Sequence, residues 1–133
     1  MINDVEKVLL SEEQLSQKIA ELGEEISKDY QGKEIVAICV LKGAILFMAD
    51  LARAVKVPMA LDFMAVSSYG NGTSTSGTVR ILKDLDNSIE GKHVLVVEDI
   101  IDSGVTLKYL LKNLKSRKPA SIKLCTLLNK PER

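Results

Sequence analysis

Neither sign of charge prevails in this sequence: lysine and arginine number 18 and aspartate and glutamate number 18 in 133 residues. That balance gives no electrostatic reason to expect nucleic acid or a membrane surface as a partner, so a ligand has to be recognised locally. The only histidine, His93, leads into an apolar run and joins no polar cluster, which leaves Ser-His-Asp and Cys-His mechanisms without a base. Two cysteines, Cys39 and Cys125, sit inside the strand-like runs Ile38-Cys39-Val40 and Leu124-Cys125-Thr126. With no CxxC pair and no Cys/His cluster they read as buried reduced thiols, not zinc ligands. The longest apolar stretch, about 35–54, is interrupted by Lys42, Gly43 and Asp50 and is no membrane span. Asp4, Glu6 and Lys7 charge the N-terminus before any apolar run develops, so no signal peptide is expected and the expected location is the cytoplasm.

What the chain does have is concentrated in 94–106, Val-Leu-Val-Val-Glu-Asp-Ile-Ile-Asp-Ser-Gly-Val-Thr. Four apolar β-formers run into the acidic pair Glu98 and Asp99. A third carboxylate, Asp102, opens a Ser-Gly-x-Thr loop, after which apolar residues take helical spacing at Leu107, Leu110, Leu111 and Leu114. The pattern predicts a buried strand, a polar turn and a helix N-terminus. The C-terminal ends of parallel strands are where open α/β sheets bind ligands. Backbone N–H groups at Ser103, Gly104, Val105 and Thr106 would face an anion at the positive end of the helix, with the Ser103 and Thr106 hydroxyls as further donors. The two carboxylates would repel a phosphate but suit sugar hydroxyls or a hydrated Mg²⁺. A phosphate beside a diol describes a ribose 5-phosphate.

The remaining pattern alternates helices and strands. Ser11 and Gln14 form a capping box ahead of Leu15, Ile19, Leu22 and Ile26, predicting an amphipathic helix that ends near Gly32. A buried strand is expected over Ile35–Leu41, then a helix over 43–55 with Ile45, Met48, Leu51 and Ala52 inward. Pro58 opens a strand over 59–66 whose only charge is Asp62, and strands are expected again near 79–82 and 122–128, with the helix before the last one running to about Arg117. Between them, about 67–78 turns to Ser, Thr, Gly and Asn with one aromatic, Tyr69, and reads as a flexible loop. One domain over 1–133 is expected, an α/β fold with a doubly wound, mainly parallel sheet and helices on both faces. Lys42 interrupts an apolar stretch at a strand end, where it would either emerge towards a ligand or lie along the surface.

The 94–106 segment resembles the 5-phosphoribosyl-1-pyrophosphate signature of the type I phosphoribosyltransferases, and Glu-Asp-Ile-Ile-Asp-Ser-Gly is most similar to the hypoxanthine-guanine branch. The resemblance implies purine salvage: hypoxanthine or guanine joined to 5-phosphoribosyl-1-pyrophosphate, giving IMP or GMP and pyrophosphate with Mg²⁺. It implies that Glu98 and Asp99 hold the ribose and metal, that Asp102 is the general base or acid at purine N7, and that Ser103, Gly104, Val105 and Thr106 cradle the 5′-phosphate. Leu41-Lys42-Gly43 is similar to a family loop that cups pyrophosphate with backbone N–H groups, often through a strained or cis peptide. Ser68 and Tyr69 resemble the Ser-Tyr pair of the loop that covers the pyrophosphate. Lys130, otherwise a surface charge, corresponds to a lysine that donates to the 6-oxo group of the base, and Arg133 to an arginine shortly after it. The family is usually a homo-oligomer, a dimer or tetramer. Its members continue for some tens of residues past the position of Arg133, through a base-stacking segment, so the donor half of the site is what this stretch is expected to hold. A phosphoribosyltransferase for xanthine or a pyrimidine, or a nucleotide-sensing protein on the same fold, would share the signature.

Overall fold

Ser11 opens the first helix as its spacing to Gln14 predicts: the Gln14 N–H donates to Ser11 Oγ at 3.0 Å and the Ser11 N–H to Gln14 Oε1 at 2.9 Å. The computed structural model describes residues 11–68, 79–101 and 104–129. Its elements are α1 (Glu12–Asp29), β1 (Ile35–Leu41), α2 (Ile45–Ala54), β2 (Met59–Ser68), β3 (Val79–Lys83), β4 (His93–Ile101), α3 (Gly104–Lys115) and β5 (Ser121–Asn129). They form a five-stranded sheet in the order β3-β2-β1-β4-β5. All pairs are parallel except β2 with β3, which is an antiparallel hairpin at the edge. This is the α/β architecture that the alternation predicts, and among the described residues no helix is long and apolar enough to cross a membrane.

Strand residues sort by parity into two cores. Ile35, Ala37 and Cys39 of β1 join Leu95, Val97 and Cys125 beneath α1 and α2, while Ile38 and Val40 join Val94, Val96, Leu110 and Leu114 beneath α3. Burial on both faces is why β1 reads as an unbroken apolar run. The two helices on the first face meet closely, since a Cβ on Gly23 would lie 2.5 Å from that of Ala54. Ser27 Oγ ties the same seam by donating to the Gly23 carbonyl at 2.7 Å and accepting from the Lys56 N–H at 2.8 Å.

Several boundaries differ from expectation. The first helix stops at Asp29 with Tyr30 as its cap, and Gly32 instead takes a positive φ of 78° in the following turn. The second helix starts at Ile45, so the inward stripe falls on Phe47, Met48 and Leu51, whereas Ile45 is 43% exposed. Ala52 does pack against that core. Ser67 and Ser68, expected in the loop, extend β2 because they pair with Arg80 and Val79 of the hairpin. The last helix ends at Lys115, with a turn at Ser116 and Arg117.

Candidate active site

β4 does not end at its apolar run. Ile100 and Ile101 are β-formers that keep pairing with Leu128 and Asn129 of β5, so Glu98 and Asp99 lie within the strand and not in the turn beyond it. Only two residues, 102 and 103, separate the strand from Gly104 at the start of α3. Gly104, Val105 and Thr106 therefore form the first helical turn, whose N–H groups have no partner within the helix.

The strand order reverses between β1 and β4, which places a topological switch point there. Their register pairs run from Ile35↔His93 to Cys39↔Val97 and stop. Beyond that level β1 stays with β2 as far as Leu41↔Ala65, and β4 stays with β5 as far as Ile101↔Asn129. The two halves of the sheet are thus unpaired with each other at their carboxyl ends, the place where open α/β sheets form a ligand crevice. On one lip, Lys42 and Gly43 follow β1 as an exposed turn, and the Leu41-Lys42 peptide is cis, in keeping with the resemblance. On the other lip stands Glu98, half-buried, with Asp99 next along the strand. Ser68 ends β2 on the far side of β1.

The structure thus brings Lys42, Gly43, Glu98, Asp99 and the 104–106 turn to one end of the sheet. Tyr69, Asp102, Ser103, Lys130 and Arg133 lie outside the described residues, though the chain enters 102 and 130 from register partners, Ile101 and Asn129. Sequence reasoning overlooked Thr126, the register partner of Glu98. A hydroxyl in an apolar run was its only signal, and strand register is what gives it a location. His93 belongs to the opposite end of β4, where Nδ1 lies 2.8 Å from Ser121 Oγ and the ring meets Tyr30 edge-on at 6.3 Å.

A cavity of about 820 Å³ between α1 and α2 reaches this end of the sheet at Gly43 and Leu127. Its walls are Leu15, Ile19, Leu46, Phe47 and Leu127, with Asp50 and Arg53 paired to each other at the rim. Lys42, Gly43 and Glu98 lie instead at the carboxyl ends of β1 and β4.

A family model of the phosphoribosyl transferase domain matches residues 7–133. The chain belongs to this family. Against the hypoxanthine-guanine phosphoribosyltransferase of Mycobacterium tuberculosis it is 56% identical over 135 aligned positions, covering 97% of this chain and 67% of that protein. The enzyme of the same name from Bacillus subtilis is 54% identical over 131 positions, covering 98% and 73%. A crystal structure of a Bacillus anthracis hypoxanthine-guanine phosphoribosyltransferase, with HEPES in its active site, superposes with a TM-score of 0.89 at 54% identity and covers 95% of this chain and 75% of that one. The chain spans about two thirds to three quarters of the length of these relatives. As a phosphoribosyltransferase its fold is the family's mainly parallel α/β sheet.

Proposed function

We propose that this chain carries out purine salvage, transferring the 5-phosphoribosyl group of 5-phosphoribosyl-1-pyrophosphate to hypoxanthine or guanine and releasing pyrophosphate. The observation that carries the reading is the parting of β1 and β4, which sets the Lys42-Gly43 turn, the Glu98 and Asp99 positions and the first turn of α3 around one crevice. High identity to relatives named for this activity over nearly the whole chain supports it.

In this reading the N–H groups of 104–106 bind the 5′-phosphate, helped by Ser103, because the helix N-terminus offers aligned donors to an anion. Glu98 and Asp99 accept hydrogen bonds from the ribose hydroxyls, which a phosphate site could not do with like charges. Lys42 and the N–H of Gly43 draw the pyrophosphate to the other lip, so that positive charge lies where the leaving group gains electrons. Ser68 and Tyr69 cover it and exclude water from a ribose that acquires oxocarbenium character as the bond to pyrophosphate lengthens. Asp102 exchanges the proton at purine N7. Lys130 donates to the 6-oxo group and Arg133 stands near it; an ammonium has donors only, which favours an oxo over an amino substituent.

The donor set fits Mg²⁺. Its ligands here would be carboxylate oxygens from Glu98 and Asp99, and among the described residues no group of three or more His, Cys, Asp or Glu could cage a metal. Magnesium is commonly held by one or two carboxylates together with substrate phosphates. When bound, it would neutralise charge on the leaving pyrophosphate. We further propose a homo-oligomeric enzyme, as the family resemblance implies, located in the cytoplasm.

Pyrophosphate release with hypoxanthine, guanine, xanthine and adenine tests the reading. The expected order has hypoxanthine and guanine above xanthine, with adenine about 100-fold or more lower in kcat/KM. A preference for adenine would contradict it.

A further inference from the structure

The register between β4 and β5 sets Thr126 beside Glu98. On the α3 side of the sheet both strands are apolar up to that level, with Val94 and Val96 preceding Glu98, and Ile122 and Leu124 preceding Thr126. Hydrocarbon gives way to polar side chains at the same height on two neighbouring strands. Adjacent strands run about 4.8 Å apart and side chains alternate faces, so register partners in a parallel pair stand side by side. Valine has nearly the shape of threonine and an equal preference for strands. What threonine adds is a hydroxyl, a donor that a carboxylate can use. Both residues are half-buried, where a hydrogen bond to a charged group counts for more than in open water.

We propose that Thr126 is a positioning residue of the donor site: its hydroxyl steers the Glu98 carboxylate into the orientation that receives the sugar hydroxyls. The inference rests on the donor-site reading of Glu98 given under Proposed function. Thr126 acts through Glu98 and does not itself touch the substrate.

The test is calorimetric titration of the 133-residue chain with 5-phosphoribosyl-1-pyrophosphate and Mg²⁺, comparing the unaltered protein, Thr126→Val, Glu98→Ala and the double variant. Thr126→Val is expected to weaken donor binding about 3-fold to 10-fold when Glu98 is present and less than about 2-fold when it is absent, with Thr126→Ser restoring the lost affinity. Thermal midpoints of the Val and Ser variants serve as the control for folding. Equal losses in both backgrounds, a loss that Ser fails to restore, or no loss at all overturns the positioning role while leaving the donor site standing. Failure of the unaltered chain to bind the donor overturns the donor-site reading and this inference with it.

Discussion

Asp62 is a carboxylate only 4% exposed, in the middle of β2, and it serves the fold. Its oxygens accept N–H bonds from Phe63 at 2.8 Å, from Asp86 at 3.1 and 3.2 Å and from Asn87 at 3.3 Å, pinning the connection between β3 and β4 against the sheet. Sequence shows a lone charge in a strand; the donors 24 and 25 residues away that make its burial tolerable are a product of the fold. Asp62→Ala leaves those N–H groups unpaired and is expected to lower unfolding free energy by about 2–4 kcal/mol, read from the urea midpoint. A change under about 0.5 kcal/mol would mean that water replaces the carboxylate. Cys125 is buried as its apolar run predicts, and burial, with Glu25 adding to it, pushes its thiol from 9.0 up to about 11. The native state then keeps the proton through a range in which the unfolded chain has released it. Stability from this source is whole below about pH 9 and is lost as pH rises to about 11, a change of about 2–3 kcal/mol. Tyr30, raised by burial and then by Asp29 and Cys125, acts in the same direction at higher pH. Urea titrations at about pH 8 and pH 10.5 should show the decline, and Cys125→Ala should flatten it; parallel slopes would assign the alkaline loss elsewhere.

At the scale of elements, the strand and the helix of 94–106 are legible because each has its own local signal: β-branched residues and leucines at helical spacing. Their boundary was less legible. Glu98 and Asp99 look like the start of a turn, but the ladder with β5 carries the strand on to Ile101, and pairing with a segment some 28 residues away leaves no local mark. The same reason hides the extension of β2 to Ser68, which depends on β3. In sequence Asp102 follows directly on the strand that bears the carboxylates and stands two residues before the helix that would hold phosphate. Asp102→Asn keeps the shape and removes the base, so kcat should fall by about 10² to 10⁴ while the Kd for 5-phosphoribosyl-1-pyrophosphate changes little. Unchanged turnover would remove Asp102 from proton transfer.

For the whole molecule, alternation of helices and strands predicted a mainly parallel sheet covered on both faces, and the two cores realise it. Periodicity could not give the strand order β3-β2-β1-β4-β5, and with it the position of the crevice. Motif resemblance linked Lys42-Gly43 to Glu98-Asp99 across more than fifty residues; the sheet explains the link, because only adjacent β1 and β4 can present both at one opening. A crystal structure of this chain with 5-phosphoribosyl-1-pyrophosphate and Mg²⁺ tests that claim most directly. The account predicts the 5′-phosphate against the N–H groups of 104–106, the ribose hydroxyls at Glu98 and the pyrophosphate over Lys42-Gly43. A donor lodged in the apolar groove between α1 and α2, or at the amino ends of the strands beside His93, would contradict it.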